Sequence, residues 1–157
     1  MFNIVLLEPR MPGNVGTIGR LAFATSSILH LIKPYGFGEI TQKEVKRAGL
    51  DYWEFLDVRE YENIEDFISK NKDANCFYAT TKTTTPYFNL DYKKNDFFFF
   101  GREDAGLPEE LLENNKNRCI NIPMVNDARS LNIANSVSVV IYDAIRQNID
   151  EFKNIDA

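Results

Sequence analysis

Histidine and cysteine are scarce in this sequence, and their scarcity excludes several kinds of site. Among 157 residues there are one histidine and two cysteines. A structural zinc site takes four Cys or His ligands, and a Ser-His-Asp or Cys-His arrangement needs a histidine beside the nucleophile. Cys76 and Cys119 lie in separate apolar runs typical of buried free thiols, and His30 lies in the apolar run ILHLI, which predicts a strand. We therefore expect no metal site and no hydrolysis by a histidine-assisted nucleophile.

Long hydrophobic runs, repeats and low-complexity segments are also missing. No segment approaches the ~20 apolar residues that span a bilayer, and no basic stretch followed by a long apolar run begins the chain. No linker composition divides the 157 residues, a length that suits one domain with a core of its own. The sequence therefore predicts a single domain over residues 1–157 of a soluble, cytoplasmic protein without a membrane partner.

Positive charge is in deficit, with 18 Lys and Arg against 23 Asp and Glu and a net charge of -5 at pH 7. Generic nucleic-acid binders usually carry a basic domain, so this balance disfavours one. A local basic patch is still compatible with the sequence, although a solvated surface charge is the default for any single Lys or Arg. The basic residues in or beside the loops discussed below are Arg20, Lys46, Arg47, Lys82, Arg102, Arg129 and Arg146.

Alternating apolar segments predict an α/β fold with a largely parallel sheet. The continuously apolar runs Cys76–Ala79 and Phe97–Phe100 predict central strands that are covered on both faces. Asn14 and Asn63 are predicted to cap their helices, and Thr41 and Glu44 have the spacing of a capping box. The predicted strands are 3–7, 28–32, 55–58, 76–80, 97–100 and 119–122, and the predicted helices are 14–24, 41–48, 63–70, 108–114 and 130–148.

The last predicted helix has two apolar surfaces. One is a stripe at spacings of three and four, typical of a core face. Val139 and Tyr142 fall off that stripe and, with Ser136 and Ser138, form a second small and apolar surface. A subunit interface and packing within the same chain explain this second surface equally well. The stripe consists of Ile133, Val137, Val140, Ile141, Ala144 and Ile145.

The loop after the first strand contains glycines that suggest a nucleotide-binding site. Gly13, Gly16 and Gly19 follow the pattern G-x-x-G-x-x-G, whereas the dinucleotide fingerprint is G-x-G-x-x-G. The second strand ends at Lys33 instead of at the acidic residue that holds a ribose hydroxyl. A Rossmann-type reductase is therefore only an alternative. Arg20, further along the same segment, is a cation suited to a phosphate or a ribose.

Three loop segments, in order and at matching separations, carry a family resemblance. They are PGNVGTIGR at 12–20, FGREDAGLP at 100–108, and a third segment that runs from IPM at 122–124 through RSLN at 129–132 to Asn135. These segments resemble the motifs of the SPOUT superfamily of RNA methyltransferases. Together with RAGLDY at 47–52, they are similar to its small tRNA ribose 2′-O-methyltransferases of the TrmL (YibK) type.

The resemblance implies a fold, a reaction and partners. The fold is an α/β fold with a mostly parallel sheet flanked by helices and a C-terminal deep trefoil knot. The reaction is methyl transfer from S-adenosyl-L-methionine to the ribose 2′-hydroxyl of the wobble nucleotide, a cytidine or a modified uridine, of certain leucine tRNAs. The enzyme would be a homodimer, with Val139 and Tyr142 at the interface. A non-enzymatic RNA-binding module remains an alternative.

The resemblance also implies roles for individual residues. Those expected to line the cofactor pocket are Ala79, Gly101, Glu103, Ile122, Ser130 and Leu131. For Glu103, a role near the sulfonium, a role in orienting its own loop and a place at the start of the helix after Pro108 all remain open. The residues expected at the reaction are Arg20, which stabilises the developing alkoxide or holds the adjacent phosphate, and Asn14, Ser130 and Asn135, which position it. Lys82, Arg129 and Arg146 are the expected RNA contacts.

Overall fold

A single six-stranded sheet organises the chain in the computed structural model, which describes residues 1–40, 43 and 51–153. The strand order is β3-β2-β1-β5-β4-β6, and every pair is parallel. The strands are β1 Asn3–Leu7, β2 Ile28–Ile32, β3 Val58–Tyr61, β4 Cys76–Ala79, β5 Phe97–Phe100 and β6 Cys119–Ile120. Because β1 pairs with both β2 and β5, the loops that follow β1 and β5 lie side by side at the switch in strand order.

Helices cover both faces of this sheet. The α-helices are α1 Pro12–Ala24, α2 Ile64–Lys70, α3 Glu109–Glu113, α4 Ile133–Gln147 and α5 Ile149–Phe152, and short 3₁₀ helices form at Trp53–Phe55, Tyr87–Asn89 and Lys116–Arg118. The predicted α/β fold with a mostly parallel sheet is confirmed. None of the helices in the described ranges is both long and apolar enough to cross a bilayer. The trefoil knot stays a prediction from the resemblance.

Alternate side chains of the strands divide the core into two clusters. Phe98 and Phe100 of β5 pack on the side of α1 and α4, whereas Phe99 packs on the opposite side with residues of α2 and α3. The predicted burial of β4 and β5 in the middle of the sheet is therefore confirmed. On α4 the predicted stripe is buried except for the half-buried Ile133, and Ala134 joins it; Tyr142 remains 52% exposed.

The predicted strand 55–58 is wrong. A 3₁₀ helix covers Trp53–Phe55, and the strand β3 begins at Val58. β3 is an edge strand with the polar sequence VREY, so its sequence carries little of the apolar signal that marks the central strands. The apolar residues that suggested a strand belong instead to a segment in which Trp53 and Leu56 pack against the core.

Two predicted helix starts are also wrong. α1 begins at Pro12, a residue well suited to the first turn of a helix, and Asn14 lies inside the helix rather than capping it. α4 begins at Ile133 rather than at Ser130, with Asn132 as its N-cap. The predicted cap of α2 is confirmed, because the Asn63 side chain accepts a hydrogen bond from the Asp66 backbone N–H. Other element ends differ from the prediction by one or two residues.

One predicted helix falls largely on residues that the structure does not describe. Apart from Lys43, the predicted helix 41–48 and its capping box lie outside the described residues, as does most of the segment 47–52. His30 lies in the strand β2, as predicted, and is fully buried. Both cysteines are free thiols; Cys119 is buried and Cys76 half-buried.

Candidate active site

A cavity of about 480 Å³ lies at the carboxyl ends of β4, β5 and β6. The strands end there at Ala79, Phe100 and Ile120, and the loops that follow them form its walls. The parallel sheet therefore places its cavity where ligands of α/β sheets usually bind. All six residues predicted to line a cofactor pocket line this cavity: Ala79, Gly101, Glu103, Ile122, Ser130 and Leu131.

The loop after β5 folds back on itself and lines the cavity with backbone. Arg102 and Gly106 exchange two backbone hydrogen bonds, of 3.2 and 2.8 Å. A Cβ at Gly101 would lie 2.2 Å from the Gly106 carbonyl carbon and 2.3 Å from the Leu107 nitrogen. Gly106 itself has a φ of 70°, which disfavours residues with a side chain. Both glycines are therefore required for this tight turn at the cavity wall.

Glu103 connects this loop to the start of α1. Its carboxylate accepts hydrogen bonds from the backbone N–H groups of Arg10 (2.8 Å) and Met11 (3.3 Å). It also accepts one from Asn14 Nδ2 at 3.1 Å. A carboxylate is favoured at a helix N-terminus, where it meets free N–H groups and the positive end of the helix dipole. These hydrogen bonds go to the start of α1 rather than to α3, the helix that follows Pro108.

Asn14 and Asn132 extend the connection to a third loop. Asn14 Oδ1 accepts a hydrogen bond from Asn132 Nδ2 at 3.1 Å. Asn132 Oδ1 in turn accepts from the backbone N–H groups of Ala134 (2.8 Å) and Asn135 (3.4 Å), which caps α4. A chain of hydrogen bonds thus runs from Glu103 through two asparagines to α4 and fixes three cavity loops relative to one another. Asn132 was not among the predicted site residues, although it stands in the third motif and is a favoured N-cap residue.

Arg20 lies on the exposed side of α1, outside the lining of the cavity. Its Nε donates a hydrogen bond to the Tyr52 hydroxyl at 3.2 Å, and its guanidinium carbon lies 5.4 Å from the centre of the Tyr52 ring. Among the described residues, none of those predicted to position Arg20, namely Asn14, Ser130 and Asn135, forms a hydrogen bond with it. Asn135 does not line the cavity either.

The predicted RNA contacts divide between the cavity and the far end of α4. Lys82 and Arg129 line the cavity, and Lys82 forms an exposed ion pair of 3.0 Å with Glu109. Arg146 lies in the last turn of α4, outside the cavity lining, where it pairs with Asp143 at 2.9 Å. The Lys82–Glu109 pair is exposed on both sides and contributes little to stability, so Lys82 can exchange its carboxylate for a phosphate.

A second arginine contributes charge to the cavity wall. Arg102 donates two hydrogen bonds to the Asp104 carboxylate, at 2.9 and 2.7 Å, and lies 3.8 Å from Glu8. The hydrogen bonds from Arg102 lower the pKa of the Asp104 carboxyl below its ordinary value, so that carboxyl remains ionised at neutral pH. In the part of the chain that the structure describes, no group of three or more His, Cys, Asp or Glu side chains could hold a metal ion.

Comparisons with known proteins find relatives that match most of the chain. The model of the SpoU rRNA Methylase family matches residues 1–142. The tRNA (cytidine(34)-2'-O)-methyltransferase of Yersinia pestis is 44% identical over 153 residues, with 94% of each chain covered. The enzyme of the same name from Escherichia coli (strain K12) is 43% identical over 148 residues, again with 94% of each chain covered.

A solved structure is similar to this chain over nearly its whole length. It concerns the 2-OH methylation of C/U34 on tRNA and has a TM-score of 0.89 and 36% sequence identity, with 96% of this chain and 97% of that chain covered. These matches confirm the prediction of an RNA methyltransferase. The chain belongs to the SpoU rRNA methylase family.

Proposed function

We propose that this protein methylates the ribose 2′-hydroxyl of nucleotide 34, the wobble nucleotide, in tRNA, with a cytidine or a modified uridine as the base. The observation that carries the proposal is the meeting of the three motif loops around one cavity, joined by Glu103, Asn14 and Asn132. The relatives that match this chain over nearly its whole length are named for methylation at cytidine 34 of tRNA. Among tRNAs, we propose certain leucine isoacceptors as substrates.

The cavity fits S-adenosyl-L-methionine, the cofactor of this methyltransferase family. Its volume of about 480 Å³ is in the range of small-molecule sites, and Ala79, Ile122 and Leu131 supply apolar walls. At Gly101 the wall is backbone packed so closely that a Cβ would be excluded, which leaves peptide groups to face an adenosine. Bound S-adenosyl-L-methionine supplies an activated methyl group on a sulfonium sulfur.

Residues of this chain would hold that cofactor in two ways. Ala79, Gly101, Ile122 and Leu131 bind it by shape and by main-chain groups, and Ser130 adds a hydroxyl that can donate or accept a hydrogen bond. Glu103 keeps the loop after β5 against α1 and so preserves the cavity wall. Its carboxylate already accepts three hydrogen bonds from α1 and the residues before it, which favours the loop-orienting role over a role near the sulfonium.

Arg20 is the residue that we assign to the reacting hydroxyl. A ribose hydroxyl is a poor nucleophile, and its reaction becomes easier when a cation stabilises the alkoxide that develops. A guanidinium stays protonated in proteins and is poorly suited to remove a proton, so Arg20 stabilises negative charge or holds the neighbouring phosphate while another acceptor takes the proton. Asn14 and Asn135, in the first turns of α1 and α4, complete the proposed catalytic group as the residues that position Arg20.

The proposed assembly is a homodimer that acts in the cytoplasm, where tRNA is available. Val139 and Tyr142 lie on α4 away from the buried stripe, and the 52% exposure of Tyr142 supports their assignment to a subunit interface. We assign tRNA binding to Lys82, Arg129 and Arg146, and the whole chain to one methyltransferase domain. Because Arg146 lies away from the cavity, the partner subunit is the natural source of a second set of basic residues near each site.

The experiment that tests the proposal is methylation of unmodified RNA in vitro. Purified protein is incubated with labelled S-adenosyl-L-methionine and tRNA that lacks ribose methylation, and nucleosides are then analysed by nuclease digestion and mass spectrometry. The expected product is a 2′-O-methylated cytidine or uridine at position 34. Ribosomal RNA is tested in parallel as a comparison substrate. Methylation of ribosomal RNA alone would replace the tRNA assignment. Cofactor-independent RNA binding without transfer would favour a non-enzymatic RNA-binding module.

A further inference from the structure

A short segment packs on α1 directly beside Arg20. A Cβ at Gly19 would lie 2.9 Å from Trp53 Cζ3 and 3.2 Å from Leu56 Cδ1. Trp53 and Leu56 are half-buried and pack against the main core cluster. The glycine therefore lets the segment 52–56 lie against the helix, and this close approach brings Tyr52 to the residue that follows Gly19.

Tyr52 makes three kinds of contact with side chains of α1. Its hydroxyl accepts a hydrogen bond from Arg20 Nε at 3.2 Å, and its ring lies 5.4 Å from the guanidinium carbon. The same ring stacks on Phe23, with centroids 5.4 Å apart and planes at 23°. Arg20 and Phe23 are three residues apart and therefore lie on the same side of the helix. The ring of Tyr52 is thus fixed by Phe23 while it contacts the guanidinium.

This arrangement holds the arginine without using its outer donors. Only Nε of Arg20 is hydrogen-bonded to a described residue, so the two Nη groups form no hydrogen bond within the described part of the chain. A free arginine side chain loses rotamer entropy when it is fixed in one conformation. A side chain that is already held loses less, and its donors keep a defined direction when a substrate arrives.

We propose that Tyr52 is a positioning residue that orients the Arg20 guanidinium toward the ribose and phosphate of the substrate. This inference rests on the role proposed above for Arg20. The hydroxyl fixes the direction of Nε, and the ring supports the cation through its face, which attracts positive charge. Tyr52 acts through Arg20 and does not itself contact the reacting atoms.

The test compares Tyr52→Phe and Tyr52→Leu with Phe55→Leu, a substitution of an exposed aromatic residue in the same segment. Loss of one hydrogen bond in Tyr52→Phe should lower kcat roughly threefold to tenfold. Loss of the ring contacts as well, in Tyr52→Leu, should lower kcat by up to about 100-fold. The Kd for S-adenosyl-L-methionine should stay within about twofold in all three variants because the residues lie outside the cavity, and Phe55→Leu should keep wild-type kcat.

A double-substitution cycle separates a positioning role from a general effect on structure. If Tyr52 acts through Arg20, Tyr52→Phe should have no further effect on kcat in an Arg20→Ala background. Two results would overturn the role of Tyr52 and leave that of Arg20 in place. One is an equal effect of Tyr52→Phe on kcat in both backgrounds. The other is wild-type kcat in both Tyr52 variants while Arg20→Ala is inactive. Full activity of Arg20→Ala would remove the role of Arg20 and, with it, that of Tyr52. Tyr52→Phe retains the stacked ring and therefore decides the question if Tyr52→Leu has a lower Tm.

Discussion

His30 forms the centre of a buried polar cluster in the sheet. Its Nε2 lies 2.9 Å from Asn3 Oδ1, and its Nδ1 lies 2.9 Å from the Tyr61 hydroxyl. Asn3 Nδ2 donates to a backbone carbonyl, so its Oδ1 faces the ring and Nε2 carries the proton. Burial, with a smaller contribution from the charge of Arg59, lowers the pKa of His30 from 6.5 to about 4. The cluster therefore requires a neutral imidazole.

The stability of the protein should consequently fall in mild acid. As the pH drops below 6.5, the unfolded chain takes up a proton at His30 before the folded chain does. The contribution of the neutral ring is complete above this pH and is lost progressively down to a pH of about 4. At about pH 5.5 the free energy of unfolding should be about 1.4 kcal/mol lower than at about pH 7.5. Urea unfolding at the two pH values measures this difference.

His30→Gln is the matched control for that measurement, because glutamine is neutral throughout this range and can still form hydrogen bonds. Its free energy of unfolding should change less than that of the wild type between the two pH values. An equal change in both proteins would assign the pH dependence to other groups. The carboxylate pKa values lowered by ion pairs, such as that of Asp104, are below this range and do not interfere.

Glu103 allows a test that separates a structural carboxylate from one that recognises charge. Its hydrogen bonds to Arg10, Met11 and Asn14 predict that it holds the loop after β5 against α1. Glu103→Ala should then lower the free energy of unfolding by about 1 kcal/mol, as the loss of a helix cap does. Thermal or urea unfolding measures this loss.

Affinity for two forms of the cofactor then decides the role of Glu103. S-adenosyl-L-methionine carries a sulfonium charge, and S-adenosyl-L-homocysteine is a neutral thioether. If Glu103 braces the loop, Glu103→Gln should weaken the binding of both compounds by a similar factor, measured by calorimetry. A loss confined to S-adenosyl-L-methionine would show that the carboxylate acts on the charge of the sulfonium.

Local patterns in the sequence predicted most of the helices and strands and less of the site. The apolar stripe of α4 and the central strands were predicted because burial on one or both faces leaves a periodic signal in the sequence. The start of α1 was misplaced because Asn14, a good cap by local rules, bonds to Glu103 and Asn132 instead. Those partners are 89 and 118 residues away, and no local pattern contains them. The contact of Arg20 with Tyr52 was missed for the same reason.

The loop after β5 is the element whose geometry is most tightly constrained. Gly101→Ala would place a Cβ 2.2 Å from the Gly106 carbonyl carbon, so the turn at the cavity wall would have to open. We expect at least a tenfold weaker Kd for S-adenosyl-L-methionine and a lower Tm, because a packed backbone cannot give way as a flexible side chain can. Equilibrium binding and thermal unfolding measure the two effects.

Gly13→Ala is the control for that substitution. Gly13 lies in the first turn of α1, and a Cβ built there has no atom within 4 Å. Alanine stabilises a helix relative to glycine by about 0.5–1 kcal/mol, so Gly13→Ala should keep cofactor affinity and raise or retain Tm. Equal cofactor affinity in the two variants would show that the turn at Gly101 does not shape the cofactor site.

An acidic protein must here bind RNA, which is a polyanion. The net charge is -5, and the cations at the cavity, Lys82, Arg102 and Arg129, are few. Lys82 and Arg102 are already paired with carboxylates in the structure, whereas Arg129 forms no ion pair with another described residue. Arg129 is therefore the cavity cation that can meet a phosphate without first giving up a carboxylate.

Arg129→Ala should accordingly impair tRNA binding more than cofactor binding. We expect the KM for tRNA to rise roughly tenfold, because a phosphate contact contributes on the order of 1 kcal/mol to binding and also sets its salt dependence. The Kd for S-adenosyl-L-methionine should change less than about twofold. The slope of log KM against log salt concentration should fall by about 1. Lys70→Ala is the control, because it removes the same charge from α2. Phe67 of α2 packs on the opposite face of the sheet from α1 and α4. This variant should keep the wild-type KM for tRNA and the wild-type salt slope. Equal losses of tRNA and cofactor affinity in Arg129→Ala would instead assign Arg129 to the shape of the cavity, and an unchanged salt slope would remove it from the phosphate contacts.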